Sequence, residues 1–560
     1  MIGRGLSLFL YVVGLQASGQ EDSPDALLDL LKAELDQHYE MLSLQDPPVY
    51  HLGYTVSDTA AMRIAANGGF LGDSRQQRRR IVDVDMRLGS MLMDNHRAQP
   101  GVWRTNKHFS APLPLDGDSL ATERILWRLT DDSYREGSDQ LARIQAERQV
   151  AAETMDQSAD FSQAPRLELL QEIQIPQWEQ ARLEEVAREL SSAFLQWPEL
   201  LSSGVQLDLE FQTRHQVSSE GSKIRTATQR VRVSFFASIR VEDGSEITLY
   251  DAAEAGSLDR LPDSSELTKN IEALVEKLMD LKQAPLMEPY NGPAILGGRA
   301  AGVFFHEVFG HRIEGHRQKD EEEGQTFGSK VGLPILPEFL TVIDDPTQLQ
   351  RDGKDLSGAY EVDDEGVLSE RVVLVEEGVL KSFLMSRSPV EGFERSNGHG
   401  RREAGQSSVS RQGNLMVFAE GGLEKDALRK ALLKEVAAQG LDFGLLVESI
   451  QGGFTQTGRS APNSFQVTPD YAWKVYADGR PDVLVRGVDL IGTPLMAFER
   501  ILAAGVDVAV FNGRCGAESG WVPVSASSPS LLLGEVEFQK KEKGHRLPPI
   551  LPPPNLSEGQ

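Results

Sequence analysis

Two histidines and a glutamate stand close together in the middle of the sequence, at His306, Glu307 and His311. Helical zinc hydrolases hold their metal with two histidines and use the adjacent glutamate as the general base. In the familiar H-E-x-x-H pattern the two imidazoles lie about 40° apart around the helix, whereas a step of five residues places them about 140° apart. A wide turn or a break in the helix would bring them together, and Gly310 makes such a distortion easier. The residue types indicate a metal site, and their spacing predicts an interrupted helix.

The histidine pair also has a simpler explanation, because histidines in helices are often half-buried polar residues without a ligand. The surrounding stretch is apolar, with Ala300, Val303, Phe304 and Val308 at helical spacing. An ionised glutamate in such a helix is costly unless a metal or a proton-transfer partner compensates it. We therefore favour the metal site.

Three further residues are candidates for places around this site. His316 repeats the five-residue step, but Gly315 suggests that the helix has ended by then. Cys515 is the only thiol of the chain, so an internal disulfide is excluded. It is either a metal-bound thiolate or a small buried apolar residue. Glu314 is a candidate to fix the tautomer of a metal-binding histidine by hydrogen bonding.

Several short motifs follow one another between about residues 285 and 535. They are YNGP (290–293), GRAA (298–301), HEVFGH (306–311), EG (314–315), VDDEG (362–366), EGVLK (377–381), SNGHGRRE (396–403), GG (452–453), RG (486–487), CG (515–516) and VPV (522–524). In order and approximate spacing they resemble the signature of the TldD/PmbA family of metallopeptidases, in its catalytic, TldD-like form.

This resemblance implies a zinc peptidase in which His306, His311 and Cys515 bind Zn²⁺ and Glu307 is the catalytic base. It ranks Cys515 above His316 as the third ligand. It also implies short or unfolded peptides as substrates. Association with a related PmbA-like subunit that lacks the His-Glu motif, as a homo- or hetero-oligomer, is a further implication.

The sequence departs from the family pattern at three positions. Arg312 stands where Gly is usual, His316 where Asp is usual and Ala517 where Lys is usual. These departures bear on substrate preference more than on metal binding. Within the SNGHGRRE motif, Arg401 or Arg402 is a candidate to pair with a peptide carboxylate or to stabilise an oxyanion, and a structural loop is the alternative.

The composition is that of an ordinary globular chain, with 25% charged and 40% apolar residues. A length of 560 residues suggests two or three domains with sizeable cores. The net charge of -27 argues against a nucleic-acid backbone as a partner, because binding one requires many Lys and Arg side chains.

The two ends of the chain differ in composition from the rest. Residues 1–19 combine Arg4, an apolar run over 6–15 and Ala17-Ser18-Gly19, a pattern typical of a secretory signal. A disordered start or a misassigned initiator Met is the alternative. A real signal would make the protein periplasmic or secreted, and otherwise we expect it in the cytoplasm. No other stretch reaches the ~18 continuous apolar residues that a membrane span needs. At the other end of the chain, residues 541–560 are predicted to be a Pro-rich tail.

The patterns along the chain predict an α+β protein. We expect an N-terminal mixed α/β region of the TldD/PmbA type over residues 20–284 and a β-rich metallopeptidase domain with the active-site helix over 285–540. The Pro-containing linker 283–293 separates them. Helices are predicted at 23–44, 121–155, 177–194, 266–281, 424–438 and 494–503. Strands are predicted at 50–56, 82–88, 205–212, 225–241, 246–250, 340–343, 371–376, 380–385, 465–468, 472–476 and 482–485. Asn67-Gly68 indicates a hairpin, and the four arginines within 75–80 are interpreted as a solvated loop.

Together these observations favour a zinc-dependent peptidase in which water is activated by the metal and Glu307. The alternative is a non-catalytic subunit of a TldD/PmbA-type complex that keeps a structural zinc. Because closed structural sites have four protein ligands, a fourth ligand such as His316 or Glu314 would favour that alternative.

Overall fold

The computed structural model describes residues 24–97, 108–148, 157–320, 323–458 and 464–540. The signal sequence predicted for residues 1–19 and the tail predicted for 541–560 lie outside these ranges. Helices and mixed sheets are both extensive within them, which confirms the α+β class. Within the same ranges no helix has the length and apolar character that a membrane crossing requires.

The N-terminal half is built around one sheet. Its strands in the described ranges are β1 (Val49–Asn67), β2 (Phe70–Ser90), β3 (Met93–Asp94), β4 (Phe109–Pro112), β5 (Glu168–Leu170), β6 (Ser202–Ser218), β7 (Lys223–Arg240) and β8 (Glu246–Ala255). They pair in the order β3-β2-β1-β6-β7-β5, with β4 on β2 and β8 on β7. The predicted hairpin at Asn67-Gly68 is present, because Gly68 and Gly69 turn the chain with φ of +55° and +84°.

Four helices cover parts of this sheet. They are α1 (Pro24–Leu42), α2 (Ser119–Arg148), α3 (Gln180–Ser192) and α4 (Ser264–Gln283), with 3₁₀ turns at Ala193–Gln196 and Leu258–Arg260. Apolar residues of α1 and α2 pack with β1 and β2, and those of α3 and α4 pack with β6 and β7. Each helix therefore buries the apolar stripe that its sequence period predicts.

The C-terminal half carries a larger sheet. Its strands in the described ranges are β9 (Tyr290–Leu296), β10 (Leu340–Asp344), β13 (Val372–Glu376), β14 (Val379–Leu380), β17 (Asn414–Ala419), β18 (Phe443–Val447), β19 (Ile450–Thr455), β20 (Phe465–Pro469), β21 (Ala472–Tyr476), β22 (Val483–Val485), β23 (Val488–Gly492), β24 (Ile501–Ala517) and β25 (Gly520–Lys540). Two small ribbons pair β11 (Gln350–Arg351) with β12 (Lys354–Asp355) and β15 (Gly400–Arg401) with β16 (Val409–Ser410). The order β14-β13-β10-β17-β25-β9-β18-β21-β22 places β25 at the centre, where it also pairs with β23 and β24.

Helices α5 (Gly298–Val308), α6 (His316–Lys319), α7 (Lys425–Ala438) and α8 (Pro494–Glu499) accompany this sheet. Helix α5 approaches β25 closely through two glycines. A Cβ at Gly298 would lie 2.7 Å from the Ser528 carbonyl oxygen, and one at Gly302 would lie 3.0 Å from that of Ala526. The opposite side of α5 is fixed by buried aromatic rings, including those of Phe304 and Phe305. This packing sets the position of the histidines near the end of α5.

Three predictions of local structure were wrong. The arginines within 75–80 lie in β2 rather than in a loop, and Arg78 and Arg80 both bind Asp58. The strand predicted at 380–385 is limited to Val379–Leu380. The helix predicted at 494–503 ends at Glu499, and the long hairpin of β24 and β25, which holds Cys515, was not predicted.

Candidate metal centre

The two motif histidines lie on either side of a helix end. Helix α5 stops at Val308, and the chain continues into a 3₁₀ turn at Gly310–Ile313. The imidazole rings of His306 and His311 consequently come together, with centroids 5.1 Å apart and planes at 71°. A Cβ at Gly310 would lie 1.9 Å from Oε1 of Gln412, so only glycine fits here without moving that side chain. The interruption predicted from the five-residue spacing is present.

Cys515 joins the two histidines although it is more than two hundred residues away in the chain. It lies near the end of β24, and its Sγ is 3.3 Å from Nε2 of His311. The potential ligand atoms of His306, His311 and Cys515 all lie within 4.8 Å of one another, and all three residues are buried. The hairpin of β24 and β25 is thus the element that carries the thiol to the end of α5.

The electrostatics of this cluster favour the thiolate. Burial opposes ionisation of the Cys515 thiol, but the neighbouring His311 and His306 outweigh it and hold the pKa of the thiol well below its ordinary value. The pKa values of the two histidines shift in the opposite direction. Burial disfavours their charged forms, while Cys515 raises the pKa of His306 and raises that of His311 well above the ordinary value. The thiolate is the form of cysteine that binds metals, so the lowered pKa of Cys515 favours metal binding.

Glu314 supports His311 from the side away from the thiol. Its Oε2 lies 3.3 Å from Nδ1 of His311 and accepts a hydrogen bond of 2.9 Å from Nε of Arg317. Burial disfavours the Glu314 carboxylate, but His311 and Arg317 outweigh this and lower its pKa to about 2. The carboxylate therefore directs the Nε2 atom of His311 toward Cys515, as a partner that fixes a tautomer does.

Glu307 is half-buried and lines a cleft of about 1240 Å³ together with His306, His311 and Cys515. Its side chain needs a glycine in the facing strand β19, because a Cβ at Gly453 would lie 2.7 Å from Cγ of Glu307. The carboxylate is thus held next to the cluster and open to the cleft. This is a position from which it can exchange protons with a water or a substrate.

His316 is buried, but it binds a carboxylate instead of lying at the metal site for which the sequence made it a candidate. Its Nε2 is 2.5 Å from Oε1 of Glu518, and the cluster of possible ligand atoms in the described ranges does not include it. Glu314 is bound to His311 and Arg317. Within the described part of the chain, neither His316 nor Glu314 is therefore placed as a fourth ligand beside His306, His311 and Cys515.

The arginines of the SNGHGRRE motif are bound inside the protein. Arg401 donates to the carbonyl oxygens of Gln412 and Pro523 at 2.6 and 2.8 Å. Arg402 forms an ion pair with Asp83 at 2.7 Å. The structural interpretation of this loop therefore fits better than binding of a substrate carboxylate.

Arg312, one of the departures from the family pattern, caps the end of α5. Its Nη1 donates to the carbonyl oxygens of Glu307 and Val308 at 3.1 and 3.0 Å, which would otherwise be free at the helix end. The same atom binds Oγ1 of Thr455 in β19 at 2.7 Å. Arg312 thereby joins helix α5 to a wall of the cleft.

Residues 289–540 match the family model described as the PmbA/TldA metallopeptidase C-terminal domain. Over these residues the chain belongs to the TldD/PmbA family. A curated relative from Methanothermobacter thermautotrophicus, named Metalloprotease, is 30% identical over 326 residues, which are 57% of this chain and 65% of that protein. A Metalloprotease TldD homolog from Buchnera aphidicola is 26% identical over 245 residues, 43% of this chain and 46% of that protein. The matches thus span less than two thirds of the length of these relatives.

The fold agrees with the TldD/PmbA assignment. The crystal structure of TldE from Thermococcus kodakarensis superimposes with a TM-score of 0.59 and covers 92% of this chain and 100% of that one. The two sequences are 13% identical, so this likeness concerns the fold alone. It confirms the α+β architecture across both halves of the chain.

Sequence reasoning missed two residues that shape this TldD/PmbA site. Gln412 lies over Gly310 and donates to the His306 carbonyl oxygen at 3.3 Å. Arg411 donates to the Cys515 carbonyl oxygen at 2.7 Å. Neither type nor spacing distinguishes these residues locally, because their partners lie more than a hundred positions away in the chain.

Proposed function

We propose that this protein is a zinc-dependent peptidase that hydrolyses peptide bonds in short or unfolded peptides. The observation that carries the proposal is the buried cluster of His306, His311 and Cys515 at the wall of a cleft that Glu307 also lines. One thiolate and two imidazoles are a donor set that suits Zn²⁺. The 3.3 Å between Sγ of Cys515 and Nε2 of His311 is close to the about 3.5 Å expected for two ligands at tetrahedral zinc.

The residues around the cluster have distinct parts in this mechanism. Zinc bound here supplies Lewis acidity toward a water and the scissile carbonyl. Glu307 accepts the proton of the attacking water and returns it to the leaving amine. Glu314 keeps His311 in the tautomer that presents Nε2 to the metal. Gly453 leaves room for the Glu307 side chain at the wall of the cleft.

The alternative of a structural zinc in a non-catalytic subunit receives less support. Such a site is closed by four protein ligands. In the described ranges the cluster has three, since His316 pairs with Glu518 and Glu314 pairs with His311 and Arg317. An open position toward a cleft that also contains a glutamate favours catalysis.

The family also suggests a partner for this chain. The similarity of residues 289–540 to the PmbA/TldA domain supports association with a related PmbA-like subunit or with a second copy of the chain. The location depends on residues 1–19, and sequencing the N-terminus of the native protein distinguishes an exported, processed chain from a cytoplasmic one.

The test compares three proteins for zinc content and for hydrolysis of short synthetic peptides and of an unfolded polypeptide. Wild type is expected to hold one zinc and to hydrolyse them. Glu307→Gln is expected to retain zinc and fold but to lose about 10²–10⁴-fold in rate, the contribution of a general base. The matched control is Glu376→Gln, at an exposed glutamate in β13, which should behave as wild type.

The outcomes separate the candidates. A wild type with bound zinc and no hydrolysis of any probe favours the structural-zinc alternative. A wild type without zinc contradicts both. Unchanged turnover in Glu307→Gln removes the assignment of the base.

A further inference from the structure

A fully buried arginine lies next to the cluster of His306, His311 and Cys515, and it is not among the residues that line the cleft. Arg411 follows directly after β16, and its side chain is completely excluded from solvent. A buried guanidinium is costly to desolvate unless its donors are bound. The contacts that compensate it identify what it holds together.

One side of the guanidinium binds the hairpin that carries the thiol. Nη2 donates to the Cys515 carbonyl oxygen at 2.7 Å. Nη1 donates to Oγ of Ser519 at 2.8 Å and to the Gly520 carbonyl oxygen at 3.1 Å. The bonds therefore reach the end of β24, the turn after it and the start of β25, and they fix the turn end of the hairpin.

The other side faces the carboxylate that orients His311. Nε of Arg411 lies 3.5 Å from Oε1 of Glu314, and Oε2 of Glu314 contacts His311 and Arg317. A continuous set of contacts thus runs from the backbone of one candidate ligand, through Arg411 and Glu314, to the ring of another.

We propose that Arg411 is a positioning residue, which holds Cys515 at the distance from His311 that zinc binding requires. The inference rests on the proposed zinc site. Thiolate and imidazole bind zinc at about 2.3 Å and 2.0–2.1 Å, so a displacement of the hairpin by even ~1 Å would weaken the site. A hydrophobic side chain of similar volume would often stabilise the fold as well as a buried ion pair does. The fixed geometry at the ligands is what the arginine adds.

The test needs to separate this role from the general importance of a buried arginine. Arg387 supplies the matched control, because its side chain is also fully buried but binds the Ser162 carbonyl oxygen and Glu220. Replacing either arginine by lysine keeps the charge and removes the fork of donors.

The experiment measures zinc affinity of the full-length wild type, Arg411→Lys and Arg387→Lys by competition with a chromophoric chelator. Circular dichroism and melting temperature report on folding. Arg411→Lys is expected to lose about 10–100-fold in affinity, the usual effect of changing a residue that orients a ligand. The thiolate-to-metal band of the cobalt-loaded protein should shift or weaken in this variant. Arg387→Lys should bind zinc as wild type does, whatever its melting temperature.

Ser519→Ala is a milder variant that removes one bond to Arg411 and serves if Arg411→Lys does not fold. It should weaken zinc binding several-fold with an unchanged fold. Wild-type affinity and an unchanged cobalt spectrum in the folded Arg411→Lys, or in Ser519→Ala where the former does not fold, would overturn the positioning role alone. A wild type that binds no zinc overturns the proposed function and this inference together.

Discussion

Cys515 brings the softest donor to the cluster, and it is the ligand whose replacement is most informative. A serine hydroxyl at its position stays protonated at neutral pH and binds zinc poorly compared with a thiolate. Cys515→Ser should therefore lose most of its zinc on dialysis against a chelator and should lose peptide hydrolysis. The fold should persist, because cores of this size do not depend on one metal.

Zinc content, hydrolysis and the circular dichroism spectrum check this prediction, and Cys515→His is the companion variant. A histidine supplies a nitrogen donor in place of the sulfur and should recover part of the zinc content. Full zinc and full activity in Cys515→Ser would mean that the third ligand is another residue.

Residue types and motifs were sufficient to identify His306, Glu307, His311 and Cys515 as candidates. Local reasoning also gave Glu314 its place beside His311, since the two residues are separated by three positions. It did not find Arg411, which meets Cys515 only after the two strands β24 and β25 have formed. A side chain whose partners are distant in sequence has no local pattern that distinguishes it.

At the scale of elements, the end of α5 depends on the absence of a side chain at Gly310. The residue lies in a 3₁₀ turn whose backbone alanine can also adopt, so the cost of Gly310→Ala is steric. Its Cβ would displace the buried Gln412, whose amide supports the His306 backbone. We expect Gly310→Ala to weaken zinc binding at least tenfold and to lower stability, as overpacking a close-packed interior does.

A double variant tests this explanation. Gln412→Ala makes room for the new methyl group, so Gly310→Ala with Gln412→Ala should bind zinc more tightly than Gly310→Ala alone. Zinc competition and urea unfolding of the two single variants and the double variant provide the comparison. Equal weakness of the double variant and Gly310→Ala would show that the backbone, rather than the contact with Gln412, is responsible.

Elements with one exposed face are among those that the sequence predicted. Helix α4 has a clear apolar stripe, and the hairpin between β1 and β2 has a glycine pair at its turn. Strand β25 was missed because it is central, and between Val524 and Leu533 its residues are buried on both faces. Alternation between apolar and polar residues is lost in such a strand. The arginines of β2 misled in the opposite way, since an exposed charged strand was interpreted as a loop.

On the scale of the whole molecule, the cleft is lined from both halves of the chain. Arg87, His96 and His108 of the N-terminal half lie along it together with Glu307 and Cys515. The cleft therefore needs both halves of the chain, and the domain boundary near residue 285 stays a prediction. Sequence patterns could not show this arrangement, because the packing of one sheet against another depends on side chains distant in sequence.

Charged and titratable groups are also buried where the two halves meet. His51, Arg87, Glu365 and Arg387 line a small cavity of about 100 Å³ there. Burial and the neighbouring Arg387 lower the pKa of His51 to about 3, against the opposing effect of Asp85. Burial and Arg87 lower the pKa of His96 to about 4. Both histidines are therefore neutral in the folded protein at neutral pH.

These two shifts predict how stability depends on pH. In the unfolded chain both histidines titrate near pH 6.5, so between about pH 6.5 and 4 the unfolded state binds more protons than the folded state. The stability that the two neutral histidines contribute is fully present above pH 6.5. It falls as the pH decreases through this window, by up to about 1.4 kcal/mol per pH unit for each histidine. The free energy of the first unfolding transition in urea, measured at half-unit steps from pH 8 to 4, reports this slope. His51→Gln with His96→Gln should flatten it within the window and leave the values from pH 7 to 8 parallel to those of wild type. A slope between pH 6.5 and 4 that is equally steep in the double variant would assign the acid sensitivity to other groups, with the buried carboxylates as the next candidates.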